Sequence, residues 1–292
     1  MTKTLLSGLL IVFLLVCPVE AVQVTDALNR KITIPDAPER IISLVPSVTE
    51  ILFQLELQKQ LVANTNACTY PEAARDLPKV GNYSDPSLEA ILLNQPDLII
   101  AAADMNRPAL IRRLELLHIP VYIIHPRTVA ETLTTIEMIG IITGRTQQGK
   151  QLANSIRQRI KNVQRLTAER PHPTTLECVM LQPLTVAGPG TFINDIITVA
   201  GGRNIVPQGP SRYPTWNPEA LLTANPQTII VSTYPGQPEP EQFFSKWPQL
   251  QAVKSGQIIR INADWIHRPG PRLILGIEAL AKAFHPEIKL DE

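Results

Sequence analysis

The chain has 292 residues, room for one large domain or two moderate ones, and its 44% hydrophobic and 18% charged residues make an ordinary globular mix rather than a disordered one. A formal net charge of +1 supplies no global field for a nucleic acid or an anionic membrane, so any charge-driven recognition has to come from local patches. Aromatics are scarce at 5%, which gives weight to each one that falls in a loop.

The first residues read as an export signal. Lys3 supplies the positive start, Leu5 to Val16 is an almost unbroken apolar run, and Val19-Glu-Ala21 places small residues before a cleavage site after Ala21. The run is shorter than the roughly 20 residues a comfortable membrane span needs, so residues 1–21 are expected to leave as a signal peptide rather than stay as an anchor. Cys17 raises a lipoprotein alternative, but Leu14-Leu15-Val16 lacks the small residue such processing prefers. The mature protein keeps Cys68 and Cys178, read as two independent, partly buried thiols in separate lobes rather than a bridge.

Beyond an entry segment ending at Pro35 and Pro38, Arg40 to Val45 reads as a buried strand, and Ser47 with Glu50 reads as a capping box opening a helix over Val48–Leu57. Strands at Leu61–Ala63, Leu98–Ala102 and Val121–Ile124 then alternate with helices starting at Ser87 and spanning 108–118. That alternation predicts a parallel sheet covered on both faces. From Val129 the pattern becomes helical, with one helix to about Ile142 and a second from Thr146 to Glu169. In the second, Leu152, Ile156, Ile160 and Val163 form a single stripe over roughly 36 Å. The α/β pattern resumes with strands at Leu176–Leu181, Thr228–Ser232 and Gln257–Ile261. Helices are expected at Phe192–Val199, after Asn217-Pro218, and from Arg272 to Phe284.

A weak internal repeat links the halves. Glu89-Ala-Ile-Leu stands seven residues before Pro96, and Glu219-Ala-Leu-Leu stands seven before Pro226, an offset of 130 throughout. The expected fold is therefore α/β, two Rossmann-like lobes with parallel sheets joined by a single long helix. Residues 22–127 form the N-terminal lobe, 128–170 the connecting helices and 171–292 the C-terminal lobe.

Enzyme signatures are lacking. No Gly-x-Ser-x-Gly elbow, Walker loop or His-Glu-x-x-His helix occurs. Gly188-Pro-Gly190 has Ile193 where a dinucleotide fingerprint needs its third glycine. The five histidines, His118, His125, His172, His267 and His285, show no metal-ligand spacing. An exported hydrolase or lyase is left as the distant alternative.

What stands out is the placement of aromatics in strand–helix loops, where α/β sheets bind ligands: Tyr70, Tyr83, Phe192, Tyr213, Trp216 and Trp265. Together they read as an apolar platform for a flat or bulky ligand; singly, each reads equally well as a packing plug. Glu89 and Glu219 occupy matching first turns of helices, where a carboxylate offsets the helix dipole and is also placed to dock on a basic partner.

Arg40-Ile-Ile-Ser-Leu-Val-Pro-Ser-Val-Thr-Glu50, Pro86-Ser-Leu-Glu89, Pro96-Asp-Leu-Ile-Ile100, Arg268-Pro-Gly-Pro-Arg272 and His285-Pro286 resemble the helical-backbone (class III) periplasmic substrate-binding proteins. Within that class they look most like the cobalamin (vitamin B12)-binding members of ABC importers. The resemblance covers almost the whole mature chain. It implies a non-enzymatic binding protein with no catalytic cofactor, cobalamin as transported ligand held in an inter-lobe cleft, and little lobe closure; a monomer with no nucleic-acid partner is expected. Tyr83 and Tyr213 would face the corrin from the two lobes, and Asp264 and Trp265 would complete the far wall. Glu89 and Glu219 would dock on arginines of a permease that works with ATPase subunits. Both platform positions are Tyr where Trp is familiar, and Ala102 stands where a further Trp occurs. A ferric siderophore or haem is the alternative cargo of the same fold, with Arg107, Arg127, Arg203, Arg212 and Arg268 as candidates for an anionic ligand.

Overall fold

The structure, a computed structural model, describes residues 21–233 and 239–290. The expected signal peptide, with Cys17, lies outside the described residues except for Ala21. Two strands open the described chain, β1 (Ala21–Thr25) and β2 (Lys31–Pro35), an antiparallel hairpin the sequence reading did not anticipate.

The first sheet holds β3 (Ile41–Ser43), β4 (Leu61–Asn64), β7 (Leu98–Ala102) and β8 (Val121–Ile124) in the order β4-β3-β7-β8, every pair parallel. Between β4 and β7 comes a small hairpin, β5 (Gly81–Asn82) with β6 (Asp85–Pro86). Helices α1 (Pro46–Gln54), α2 (Leu88–Leu93) and α3 (Pro108–Leu116) make the crossovers. Alternation along β7 shows why both faces must be covered. Leu98, Ile100 and Ala102 enter one apolar cluster, while Ile99 and Ala101 enter another with Ile42 and Leu114.

Two helices follow, α4 (Val129–Ile142) and α5 (Thr146–Thr167), the latter 22 residues long and about 33 Å at 1.5 Å per residue. They form a tight hairpin rather than a lone strut. Gly140 and Gly149 meet at the crossing, where a Cβ on Gly140 would stand 2.8 Å from the Arg145 carbonyl oxygen and 3.0 Å from the Gly149 Cα. Only glycine lets the two backbones approach that closely.

The second sheet runs β10 (Leu184–Val186), β9 (Thr174–Leu181), β12 (Thr228–Thr233), β13 (Ile258–Asn262), with the two-residue β11 (Arg203–Asn204) also on β9. Its pairs are parallel except β10 with β9, which is antiparallel. Helices α6 (Phe192–Val199), α7 (Pro218–Ala224), α8 (Pro240–Phe244), α9 (Gln251–Lys254), α10 (Ala263–His267) and α11 (Leu273–Phe284) cover it. Leu176, Val231 and Phe244 pack on one face. The other face shares a cluster that runs from Val48 and Ile51 of α1 through Ile136 of α4 and Ile156 of α5 to Ile196 of α6 and Ile277 of α11. Each such fully buried side chain contributes about 1.5–3 kcal/mol, and here they tie both sheets to the helical hairpin.

Local signals resolve in two ways. Ser87 and Asn217 cap α2 and α7 as expected, accepting from the backbone N–H of Ala90 at 3.2 Å and Ala220 at 2.8 Å. The capping box at Ser47 and Glu50 does not form. Pro46 is the first residue of α1, Val45 occupies the cap position without a side-chain bond, and Glu50 turns inward. Cys68 and Cys178 are both buried free thiols, and burial pushes the Cys178 thiol up, with the neighbouring Glu177 adding to it.

Candidate ligand cleft between the two sheets

The carboxyl ends of β7 and β8 face the second sheet across a narrow cleft. A cavity of about 100 Å3 at the junction is lined from the first sheet by Ala102, Asp104, Met105 and Arg127 and from the other side by Phe192, Arg212, Tyr213 and His267. It shares Phe192, Tyr213 and His267 with a larger cavity of about 420 Å3 that adds Val179, Thr185 and Ile193. Crevices beyond strand carboxyl ends are where α/β sheets hold ligands, because the loops there can diverge without disturbing the strands.

Each lining group has a local reason for its position. Thr191 caps α6, accepting from the Asn194 N–H at 3.1 Å, and so sets Phe192 as the first helical residue against the cavity. The Gly188 N–H donates to the Arg212 carbonyl at 2.8 Å, which fixes the loop carrying Arg212 and Tyr213; a Cβ on Gly188 would stand 3.0 Å from that oxygen. On the opposite side Asn106 is buried, accepts from the Ala102 N–H at 2.8 Å and donates to the Tyr83 carbonyl at 2.7 Å. The Tyr83 loop is thereby anchored to the end of β7.

The aromatics divide accordingly. Tyr213 is 44% exposed and Phe192 is 8% exposed, and both line the cavity. Burial pushes the Tyr213 phenol up, with Glu177 adding to the effect, so the ring stays neutral and keeps its O–H as a donor. Tyr83 is 39% exposed and, like Tyr70, is not among the residues lining either cavity. Tyr70 lies with its ring 4.0 Å beneath the Arg272 guanidinium, a cation–π contact that spans the junction.

The structure does not bring Trp216 and Trp265 to this cavity. Trp216 packs against the second sheet's outer cluster, and Trp265 packs on the shared core while lining a separate groove with Ile259, Ala279 and Lys282. Asp264 does reach the junction, but its oxygens are taken up by Arg268 at 2.8 Å and Arg272 at 3.2 Å. Adjacent residues on a helix point about 100° apart, so one element sends Asp264 inward and Trp265 elsewhere. Glu89 and Glu219 sit exposed in the first turns of α2 and α7 as expected.

Two residues of the site escaped the sequence reading. Glu177 is fully buried in β9, accepts from Ser232 Oγ at 2.6 Å and lies 3.3 Å from His267 Nε2; its Oε2 has no hydrogen-bond partner among the described residues. His267 also shares a bond with Ser232 at 2.8 Å. The available signal was a carboxylate inside an apolar strand, Leu176-Glu-Cys178, which a buried strand tolerates only with partners elsewhere in the fold.

A family model described as periplasmic binding protein matches residues 41–265. The vitamin B12-binding protein of Photorhabdus laumondii is 32% identical over 248 residues, covering 84% of this chain and 88% of that protein. The protein of the same name from Vibrio cholerae is 30% identical over 245 residues, covering 84% of this chain and 88% of its own length. Among solved structures, the periplasmic vitamin B12 binding protein BtuF of Vibrio cholerae superposes with a TM-score of 0.77 at 29% identity, covering 86% of this chain and 98% of that one. The periplasmic heme-binding protein RhuT from Roseiflexus sp. RS-1 shares the fold with a TM-score of 0.76 at 24% identity, covering 85% of this chain and 98% of its own. The two parallel sheets, the long helix between them and the cleft at their carboxyl ends thus have a family: the chain belongs to the periplasmic binding proteins, non-catalytic solute-binding components of ABC transporters.

Proposed function

We propose that this protein captures cobalamin, or a closely related corrinoid, in the cleft between its sheets and delivers it to the permease and ATPase subunits of an ABC importer. The observation that carries the reading is the cavity at the junction, with the Tyr213 and Phe192 rings from one side facing Ala102 and Met105 from the other. Such a site grips by contact area, as a large, mostly neutral ring system with amide arms requires. The vitamin B12-binding names of relatives at 30% and 32% identity support the same cargo.

The mature protein is then a monomer in the periplasm, released by cleavage after about Ala21, a position that leaves most of β1 free to pair with β2. Exposed Glu89 and Glu219, repeated on matching helices, are the docking carboxylates, one for each half of the permease. Isothermal titration of the mature protein with cyanocobalamin tests the cargo. Saturable one-to-one heat with a Kd at or below micromolar supports it, and no heat at millimolar ligand sinks it.

A further inference from the structure

Resting on the reading that the cleft holds the cargo, we infer that Arg127 and Arg212 form an anion clamp across the junction and receive a negatively charged arm of the ligand. Of the five arginines the sequence offers for an anionic cargo, only these two line the cavity. Arg107 is paired with Asp85 at 3.1 Å, Arg268 with Asp264 at 2.8 Å, and Arg203 lies on β11 away from the cleft.

Arg127 and Arg212 approach from opposite sides. Arg127 follows β8 on the first sheet, and Arg212 stands on the loop that the Gly188 N–H pins at 2.8 Å. Neither guanidinium has a carboxylate partner among the described residues. The Arg127 Nε–H meets His125 Nε2 at 3.2 Å, and Glu131 is occupied in accepting the Arg127 backbone N–H at 2.6 Å. Asp104 is the one carboxylate that lines the same cavity, against the two guanidiniums.

Two exposed guanidiniums facing one another in a cleft that holds a single carboxylate are a recognition element for an oxyanion, because the fork of donors matches a phosphate or carboxylate at both ends. The tyrosine beside them supplies the flat surface. The ligand class is a large planar ring system carrying an acidic arm, either a phosphodiester, as in the nucleotide arm of cobalamin, or a carboxylate, as in haem propionates.

Titrations of the mature protein with cyanocobalamin, with cyanocobinamide (the same ring without the phosphodiester arm) and with hemin separate the cases. The expected result is cyanocobalamin binding about tenfold or more tightly than cyanocobinamide, with Arg127→Gln and Arg212→Gln each weakening cyanocobalamin about tenfold and cyanocobinamide less than about twofold. Raising salt should weaken only the former. Arg127→Lys and Arg212→Lys, which keep the charge, should retain part of the preference. An equal loss for both corrinoids, or no loss for either, overturns the clamp and leaves the corrinoid reading standing. Hemin bound with the same arginine dependence while both corrinoids are ignored keeps the clamp, assigns it to carboxylates and overturns the cobalamin reading. Binding of none of the three overturns both.

Discussion

The Glu50 carboxylate of α1 accepts two hydrogen bonds from the Arg272 guanidinium, at 2.8 and 2.6 Å, although the residues are 222 positions apart. Glu50 is only 2% exposed, and Arg268 and Asp264 extend the pair into a four-residue cluster across the junction. The ring of Tyr70 closes its lower side. A charge pair this well hydrogen-bonded locates one sheet against the other, whatever its net contribution to stability.

Removing one partner exposes that role. Arg272→Leu leaves the buried Glu50 with only the longer contact to Arg268 at 3.4 Å, and is expected to cost about 3 kcal/mol in urea unfolding. Glu50→Gln, which keeps the shape and discards the charge, should cost less.

Glu50 also shows how far the sequence could be read. Its spacing from Ser47 suits a capping box, and only the fold discloses a partner more than two hundred residues away. Signals within one turn, such as Ser87 and Asn217, were legible because cap and helix are neighbours in the chain. Strand positions were legible because apolar runs flanked by turns leave few alternatives, and the family motifs identified the two-sheet plan. The neighbours Asp264 and Trp265 were read as one wall, yet a single helical step sends them to different surfaces. Glu177 and His267 converge from β9 and α10, and no local spacing encodes that meeting.

Ring truncations test the cleft. Tyr213→Ala and Tyr83→Ala are each expected to weaken cargo binding by about 1–3 kcal/mol, read by titration calorimetry, as loss of one aromatic contact face predicts. Trp265→Phe serves as the contrast, since Trp265 lines a groove away from Tyr213, and should leave affinity within about twofold.

Charge reversal tests the docking role proposed for Glu89 and Glu219. Glu89→Lys with Glu219→Lys should leave cargo affinity unchanged and abolish uptake through the reconstituted importer. Placing a cation at two helix starts should lower stability by only about 0.5 kcal/mol each. Loss of cargo binding in the double variant would assign these carboxylates to the cleft instead.

A pH dependence follows from His285. The side chain is buried beyond α11, its Nε2 lacks a hydrogen-bond partner among the described residues, and burial holds its pKa below the usual 6.5. As pH falls through 6.5 the unfolded chain takes up a proton that the folded protein refuses, so this contribution to stability is full above that pH. It declines below it until the folded imidazole also protonates. Chemical unfolding between pH 5 and about 7.5 should show this slope, and His285→Asn should flatten it.

The apolar cluster that joins α1, α4, α5, α6 and α11 binds the two halves together, so a swing of one against the other would have to break its contacts. Tongs braced in this way do not drop what they hold by thermal motion alone. If the protein hands its cargo to an importer as proposed, release would then have to be forced from outside, by a transporter that holds both ends and wrenches the jaws.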